Sequence, residues 1–389
     1  MPGYTSGDDL LNEMTANGKY KRVEISKTLA PAHTATAGWH LLNALNGYPN
    51  AQSFQSAVDL VQIQCTEQGG DGMATPTYPG PQHGGAVSTD KKFLTNWGAN
   101  IIAAAGAPWQ VKVVDLVAYY RMSTTNVTGT GSRALINSNT VTASSSAGLL
   151  LTYTNDFANY SKVRFTTTTT LPTGLSLATD YWIVRVSATT CRVATSLANA
   201  IAGTVVAYTD AGTGTHTMTL VNPRYADGVG CQAAFVSVTA PATGGPTLSA
   251  SSYTNTAGTS SRAFQGTPTM NAAADAYATR ILHSSNAANR YGPWLPLQGA
   301  DTGIKSIESF TWSAGTAYTG TGVVALCIMK PLADLVIPAS GMYSERDLIN
   351  QLPSGVEIPD GACIGFMVYS TGATTANAPF TANLDFGWG

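Results

Sequence analysis

Short apolar runs broken by glycine, proline and asparagine recur along the chain from Val23 onward, as in VKVVDLVAYY at 111–120, Ala233 to Val238 and Val323 to Met329. Runs of this length between turn residues are strand patterns, and almost no segment carries the 3.6-residue period of a long helix. The exception comes first. Ser6-Gly7-Asp8-Asp9 precedes Leu10, Leu11 and Met14, so Ser6 can accept an amide bond while the apolar residues share one face. This predicts a short capped helix ending near Gly18, which must dock on its own body or on a neighbour. The whole pattern predicts an all-β fold of β-sandwich or jelly-roll type.

Two stretches echo two later ones in the same order. Val111 to Gly131 (VKVVDLVAYYRMSTTNVTGTG) is matched by Ile304 to Gly322, and Tyr225 to Val238 (YADGVGCQAAFVSV) by Ile358 to Ser370 (IPDGACIGFMVYS). Asp227-Gly228 and Asp360-Gly361 each precede a cysteine-containing apolar run, the pattern of a turn feeding a buried strand. Between the first-half echoes the composition shifts to Thr, Ser and Ala. The runs LLLTYT (149–154), YWIVRV (181–186) and TVVAYT (204–209) there predict an inserted all-β unit of normal domain size that projects from the body. The expected organisation is a helical segment at 1–20, a first β-sandwich domain at 21–123 plus 222–265, an insert at 124–221 and a second β-sandwich domain at 266–389. Two jelly-roll or β-sandwich-like domains thus stand in tandem, one of them carrying a small β domain.

Composition changes the picture in one respect. Only 11% of the 389 residues are charged while 44% are hydrophobic, so the predicted surface is too neutral for a solitary soluble domain and is expected to be covered by other subunits. A net charge of −2 without a basic cluster argues against nucleic acid as partner. No stretch reaches a membrane-spanning length, and the start lacks the pattern of a secretion signal, so synthesis in a cytoplasm is expected.

The sites of common chemistries are missing as patterns. There is no nucleophile elbow, Walker loop, HExxH helix or calcium loop. The cysteines at 65, 191, 231, 327 and 363 form no CxxC pair, and His33, His40, His83, His216 and His283 are scattered, so no catalytic residue, metal ligand or cofactor site is assigned. Asp8/Asp9 and Glu345/Asp347 read as residues of helix starts or a charged turn rather than a glycosidase pair. Trp39, Trp97, Trp109, Trp182 and Trp312 read as core, whereas the terminal Phe386 and Trp388, with Leu10, Leu11 and Met14, are the candidate interface residues.

The segment VRFTTTTTLPTGLSLATDYWIVRVSATTCRVATS and the later TDAGTGTHTMTL resemble a small β module of tailed-phage virion proteins, marked by a Leu-Pro-x-Gly-Leu turn and an Ala-Gly-Thr-Gly-Thr-His tail. The flanking stretches SGDDLLNEMTANGKYKRVE, GGAVSTDKKFLTNWGA, LSASSYTNTAGTSSRA, SERDLINQLPSGVEIPDGACIGFMV and LDFGWG are similar to a family of virion structural proteins. The resemblance implies a non-enzymatic, auxiliary capsid role of the cement or decoration kind, in a virion assembled in a host bacterial cytoplasm. Its partners would be the major capsid protein or other virion subunits, with a homo-oligomer, a trimer by symmetry, as the expected state. A tail, baseplate or fibre-associated adaptor is the first alternative, and a glycan-binding or depolymerising virion protein the second.

Overall fold

The computed structural model describes residues 6–29, 38–44, 47–49, 54, 59–67, 80–87, 89–103, 106–123, 131–144, 150–239, 246–266, 280–282, 292–314, 323–351, 355–371 and 377–389. The described residues form an all-β protein, with a closed barrel, three open sheets and a short N-terminal helix among them. That helix, Gly7–Ala16, starts where the sequence placed it: the Ser6 side chain accepts the Asp9 amide at 3.2 Å, and Asp8 and Asp9 occupy the first turn, where negative charge offsets the helix dipole.

Two strands of unusual length organise the body. Trp109–Ser123 and Val323–Ile337 pair antiparallel along their whole length, fifteen residues each, which at ~3.3 Å per residue is about 50 Å of sheet. No single sandwich core needs strands that long, and here two cores share them. Together with Gln232–Thr239, Ile364–Ser370, Gly38–Leu41 and Gln62–Gln64 they form a central sheet. A second sheet, the terminal sheet, runs in the order Ser344–Asp347, Lys92–Ile101, Pro379–Trp388, Tyr20–Thr28 and Gly47–Tyr48, with Val356–Glu357 also on Lys92–Ile101. A smaller sheet holds Arg262–Ala263, Pro246–Asn255, Ile304–Ala314 and Gly131–Ala134.

Side-chain alternation distributes the cores. Val111 and Val113 pack with Trp97, Ile101, Phe380, Leu384 and Phe386 of the terminal sheet. Further along the same strand Val117, Tyr120 and Met122 pack with Tyr253, Ile304, Ile307 and Phe310 of the smaller sheet. Val114, Leu116 and Tyr119 point to the opposite face, into a third cluster with Trp39, Phe54, Ile63 and Met367. The pairing slips between Ile328 and Met329, leaving Val117 as an extra residue, so the strand changes the set it presents without leaving the sheet.

Strands from either side of the expected boundary at 265/266 are interleaved. Tyr20–Thr28 pairs with Pro379–Trp388, and Trp109–Ser123 lies between Val323–Ile337 and Ile364–Ser370. The first echo does not correspond to equivalent strands. Ile304–Ala314 lies in the smaller sheet, not beside the long strands, and the strand that answers Trp109–Ser123 is Val323–Ile337. The second echo does fall on matching places: Gln232–Thr239 flanks the first half of one long strand, and Ile364–Ser370 flanks the first half of the other.

The barrel closes in the order Lys162–Thr167, Tyr181–Ser187, Thr190–Ala194, Leu151–Thr152, Ser138–Ala143 and His216–Leu220. Its interior is filled by Val141, Val163, Phe165, Ile183, Cys191, Val193 and Met218, the inward alternates of these strands. It begins later than expected, because 131–134 is a strand of the body. The run 204–209 forms no strand; it crosses the barrel end with Tyr208 buried and the Val206 amide on the Val193 carbonyl. This crossing explains the Leu-Pro-x-Gly-Leu turn: Gly174 has φ +102°, and a Cβ there would lie 2.3 Å from the Ala207 carbonyl oxygen.

Candidate functional site

The candidate interface residues converge at one end of the terminal sheet. Strand Pro379–Trp388 alternates, so Phe386 points inward, fully buried in the core, while Gly387 faces the helix. A Cβ on Gly387 would stand 2.6 Å from the Met14 sulfur and 3.0 Å from Leu10 Cδ1. Leu10 and Met14 are therefore spent on the chain's own strand, and Phe386 on its own core. Two of the five remain available at the surface: Leu11 is 44% exposed, and half-buried Trp388 lies against Gly84. The helix is tied further by Lys19, whose ammonium contacts Glu13 at 3.0 Å and Asp90 at 2.9 Å.

On the outer face of the same sheet, Asp385 accepts from Tyr20 Oη at 2.6 Å and from Arg22 Nε and NH2 at 2.7 Å each, with Asn96 Nδ2 at 3.4 Å. Asn96 Nδ2 also donates to Glu345. Burial alone would raise the Asp385 pKa, but the hydrogen bonds from Arg22 and Tyr20 outweigh it and hold the carboxyl below the usual carboxylate range. At the edge beyond, the turn at 339–342 is tied to the sheet by the Gly341 amide on Ile101 O and by the Ala103 amide on Ser340 Oγ. Ile102, Met342 and Tyr343, 54%, 51% and 49% exposed, lie at this end of the sheet, with the Tyr343 ring against Gly98.

Behind Phe386 lies a polar cluster that no sequence motif announced. His83 is fully buried, its ring 5.6 Å from that of Phe386. Its Nδ1 is 3.0 Å from Lys92 Nζ, and its Nε2 is 3.0 Å from the Ala362 oxygen and 3.2 Å from Glu67 Oε2. Lys92 opens the strand Lys92–Ile101 and also donates to the Gly85 carbonyl, with Asp360 Oδ1 at 3.7 Å. Burial sets the electrostatics: it lowers His83 to about 3, lowers Lys92 and raises Glu67, each against its ordinary value. The residues come from four separate segments, and only the fold brings them together.

A second buried polar group stands on the central strand. Asp115, between Val113 and Val117, receives Arg224 Nε at 2.8 Å, NH2 at 2.6 Å and the Cys363 amide at 2.9 Å. Arg224 also donates to the carbonyls of Cys65 and Leu116.

The remaining candidates from the sequence are dispersed. Glu345 and Asp347 lie on an edge strand, Ser344–Asp347, where Asp347 Oδ1 accepts the Ile349 amide and Arg346 reaches Asp334 at 2.6 Å. Buried His216 bridges Thr167 Oγ1 and the Ala211 carbonyl at the barrel end. His33 and His283 lie outside the described residues. All five cysteines are free and buried, and burial pushes the Cys191, Cys231 and Cys363 thiols up to about 12. Trp39, Trp97 and Trp109 are buried, Trp182 is half-buried beneath the Lys162 ammonium, and the Trp312 side chain lies outside the described residues. Among the described residues no group of three or more His, Cys, Asp or Glu is positioned to hold a metal ion, and no helix is long and apolar enough to cross a membrane. No protein-family model and no curated protein matches the chain.

Proposed function

We propose that this chain is a non-enzymatic virion structural protein, a capsid decoration or cement subunit that works by covering and joining neighbouring subunits. The observation that carries the reading is the exposed trio Ile102, Met342 and Tyr343 at one edge of the terminal sheet, on a chain with only 11% charged residues. Exposed apolar side chains at one edge of a weakly charged surface favour protein contact, and a stable contact buries on the order of 1,600 Å². Under this reading the body is a pair of jelly-roll-like sandwiches built by duplication around the shared central sheet, and the barrel is an insert facing outward. A homotrimer bound to the major capsid protein is the proposed state, on symmetry grounds.

The test is cryo-electron microscopy of the virion that carries this protein. Density repeated over the capsid surface, with the Ile102–Tyr343 edge against a neighbour, is the expected result. Density confined to portal, tail or fibres overturns the decoration reading in favour of an adaptor.

A further inference from the structure

The buried cluster around Lys92 has the parts of a covalent reaction centre. Lysine is almost never fully enclosed without a strong partner, yet the Lys92 side chain has no exposed surface and its nearest carboxylate oxygen, on Asp360, is 3.7 Å away. Its closest side-chain neighbour is the neutral imidazole of His83. With the Nε2 proton directed to the Ala362 oxygen and Glu67, Nδ1 presents a lone pair to Nζ at 3.0 Å. Lys92, His83 and Glu67 therefore stand as nucleophile, base and a third group that orients the base.

The electrophile is held in place independently. Asp360 Oδ1 accepts the Val87 amide at 3.2 Å, and its turn is clamped by the Glu67 amide on the Gly361 oxygen and by His83 on the Ala362 oxygen. Every group of the relay thus also fixes the turn that carries the carboxyl. Two reacting groups held this way condense as if at very high concentration.

We propose that Lys92 and Asp360 condense to an intramolecular isopeptide bond, with His83 and Glu67 handling the protons. The Nζ–Cγ bond forms, and the bond from Cγ to the Asp360 oxygen not held by Val87 breaks. Lys92 attacks as the neutral amine that burial favours, and the two protons its ammonium loses overall pass along the line from Lys92 through His83 to Glu67, His83 Nδ1 carrying each only in transit because burial keeps its ring a weak base. Glu67 passes them to the departing oxygen, which leaves as water, so an ammonium and a carboxylate become an amide and one water with nothing else consumed. Burial assists at both ends, since it favours the neutral, nucleophilic amine and a protonated Glu67.

The bond would join the first residue of a terminal-sheet strand to the turn that feeds Ile364–Ser370 of the central sheet. It would tie the two faces of one core covalently in a chain whose five cysteines are all free, and it stands whether or not the proposed virion role does.

Intact-mass spectrometry of the purified, folded full chain, followed by peptide mapping, tests this. The expected result is a mass one water below that of the sequence and a branched peptide containing Lys92 and Asp360. Lys92→Arg and Asp360→Ala should restore the sequence mass. Asp360→Asn should form the same amide with loss of ammonia instead of water. Glu67→Gln and His83→Ala, folded by circular dichroism, should keep the full sequence mass or lose water far more slowly. A wild-type protein of full mass with both residues in linear peptides overturns the proposal. So does a water loss confined to the linear peptide carrying Asp360-Gly361, which is a cyclic imide formed at that dipeptide.

Discussion

Asp115 and Arg224 meet through two parallel hydrogen bonds of 2.6 and 2.8 Å on the face of the central sheet where the two main cores adjoin. Both are buried, and Arg224 carries the additional duty of satisfying the Cys65 and Leu116 carbonyls. Burial works against the Arg224 charge, but the Asp115 carboxylate outweighs it and raises the pKa above the ordinary arginine value. Arg224→Met should leave a buried carboxylate unpaired and cost about 3–5 kcal/mol in urea unfolding. Replacing the pair together, Asp115→Leu with Arg224→Met, should recover a large part of that loss. A single variant as stable as the wild type would mean that water reaches Asp115.

The barrel enters and leaves the body at one place, since the Leu220 amide bonds the Asn137 carbonyl at 2.7 Å. Asn137 itself belongs to the body side, held by Tyr120 Oη at 2.8 Å and donating to the Ile307 oxygen at 2.7 Å. Deleting 138–220 and bridging the ends with a short Gly/Ser linker should leave a folded body with a cooperative thermal transition. Loss of that transition in circular dichroism would make the barrel a structural part of the body and not an insert.

Gly228 and Gly361 occupy matching turns with nearly the same backbone, φ +75° and +74°. Their surroundings differ. A Cβ on Gly228 would lie 2.3 Å from the Ile304 oxygen, whereas at Gly361 it meets nothing within 4 Å. Gly361→Ala should cost only the left-handed strain, about 1 kcal/mol, and Gly228→Ala clearly more. Denaturant midpoints of the two variants compare them directly, and equal losses would refute the steric reading.

Asp301 accepts from Tyr253 Oη at 2.7 Å, Arg262 Nε at 2.8 Å and Asn255 Nδ2 at 2.8 Å. Arg262 first, and Tyr253 next, lower its carboxyl from 3.8 to about 2. The folded state then binds fewer protons than the unfolded chain in that window. The contribution to stability is complete above pH 3.8 and disappears as pH falls towards about 2. Unfolding midpoints of wild type and Asp301→Asn should converge as pH drops through this range. A gap that stays constant would mean that Asp301 is not held ionised.

Local signals were legible wherever one segment determined the outcome. Ser6, the two aspartates after it and the Leu10/Met14 spacing specify the helix, and the Thr-, Ser- and Ala-rich stretch after Ser123 contains the strands that close the barrel. Its first boundary was misplaced because 131–134 has no pattern of its own and becomes a strand only by pairing with Ile304–Ala314. Phe386 could not be sorted between core and interface from sequence, since alternation along Pro379–Trp388 tells which residues share a face but not which face is covered. The Glu67, His83, Lys92 and Asp360 cluster was illegible for a different reason: it joins residues near 67–92 to a turn at 360–362, far along the chain, and nothing local distinguishes them.

Tyr20 on one terminal-sheet strand bonds Asp385 on its neighbour across a sequence separation of 365 residues. A ribosome extends a chain at ~5–20 residues per second, so tens of seconds pass between the emergence of the two strands. Through that interval the first strand, with Val23 and Ile25 on its apolar face, has no partner on the side that Pro379–Trp388 will occupy. The first strand must therefore be kept from pairing with other chains while it waits, and closure of this sheet is a late folding event that chaperones can influence.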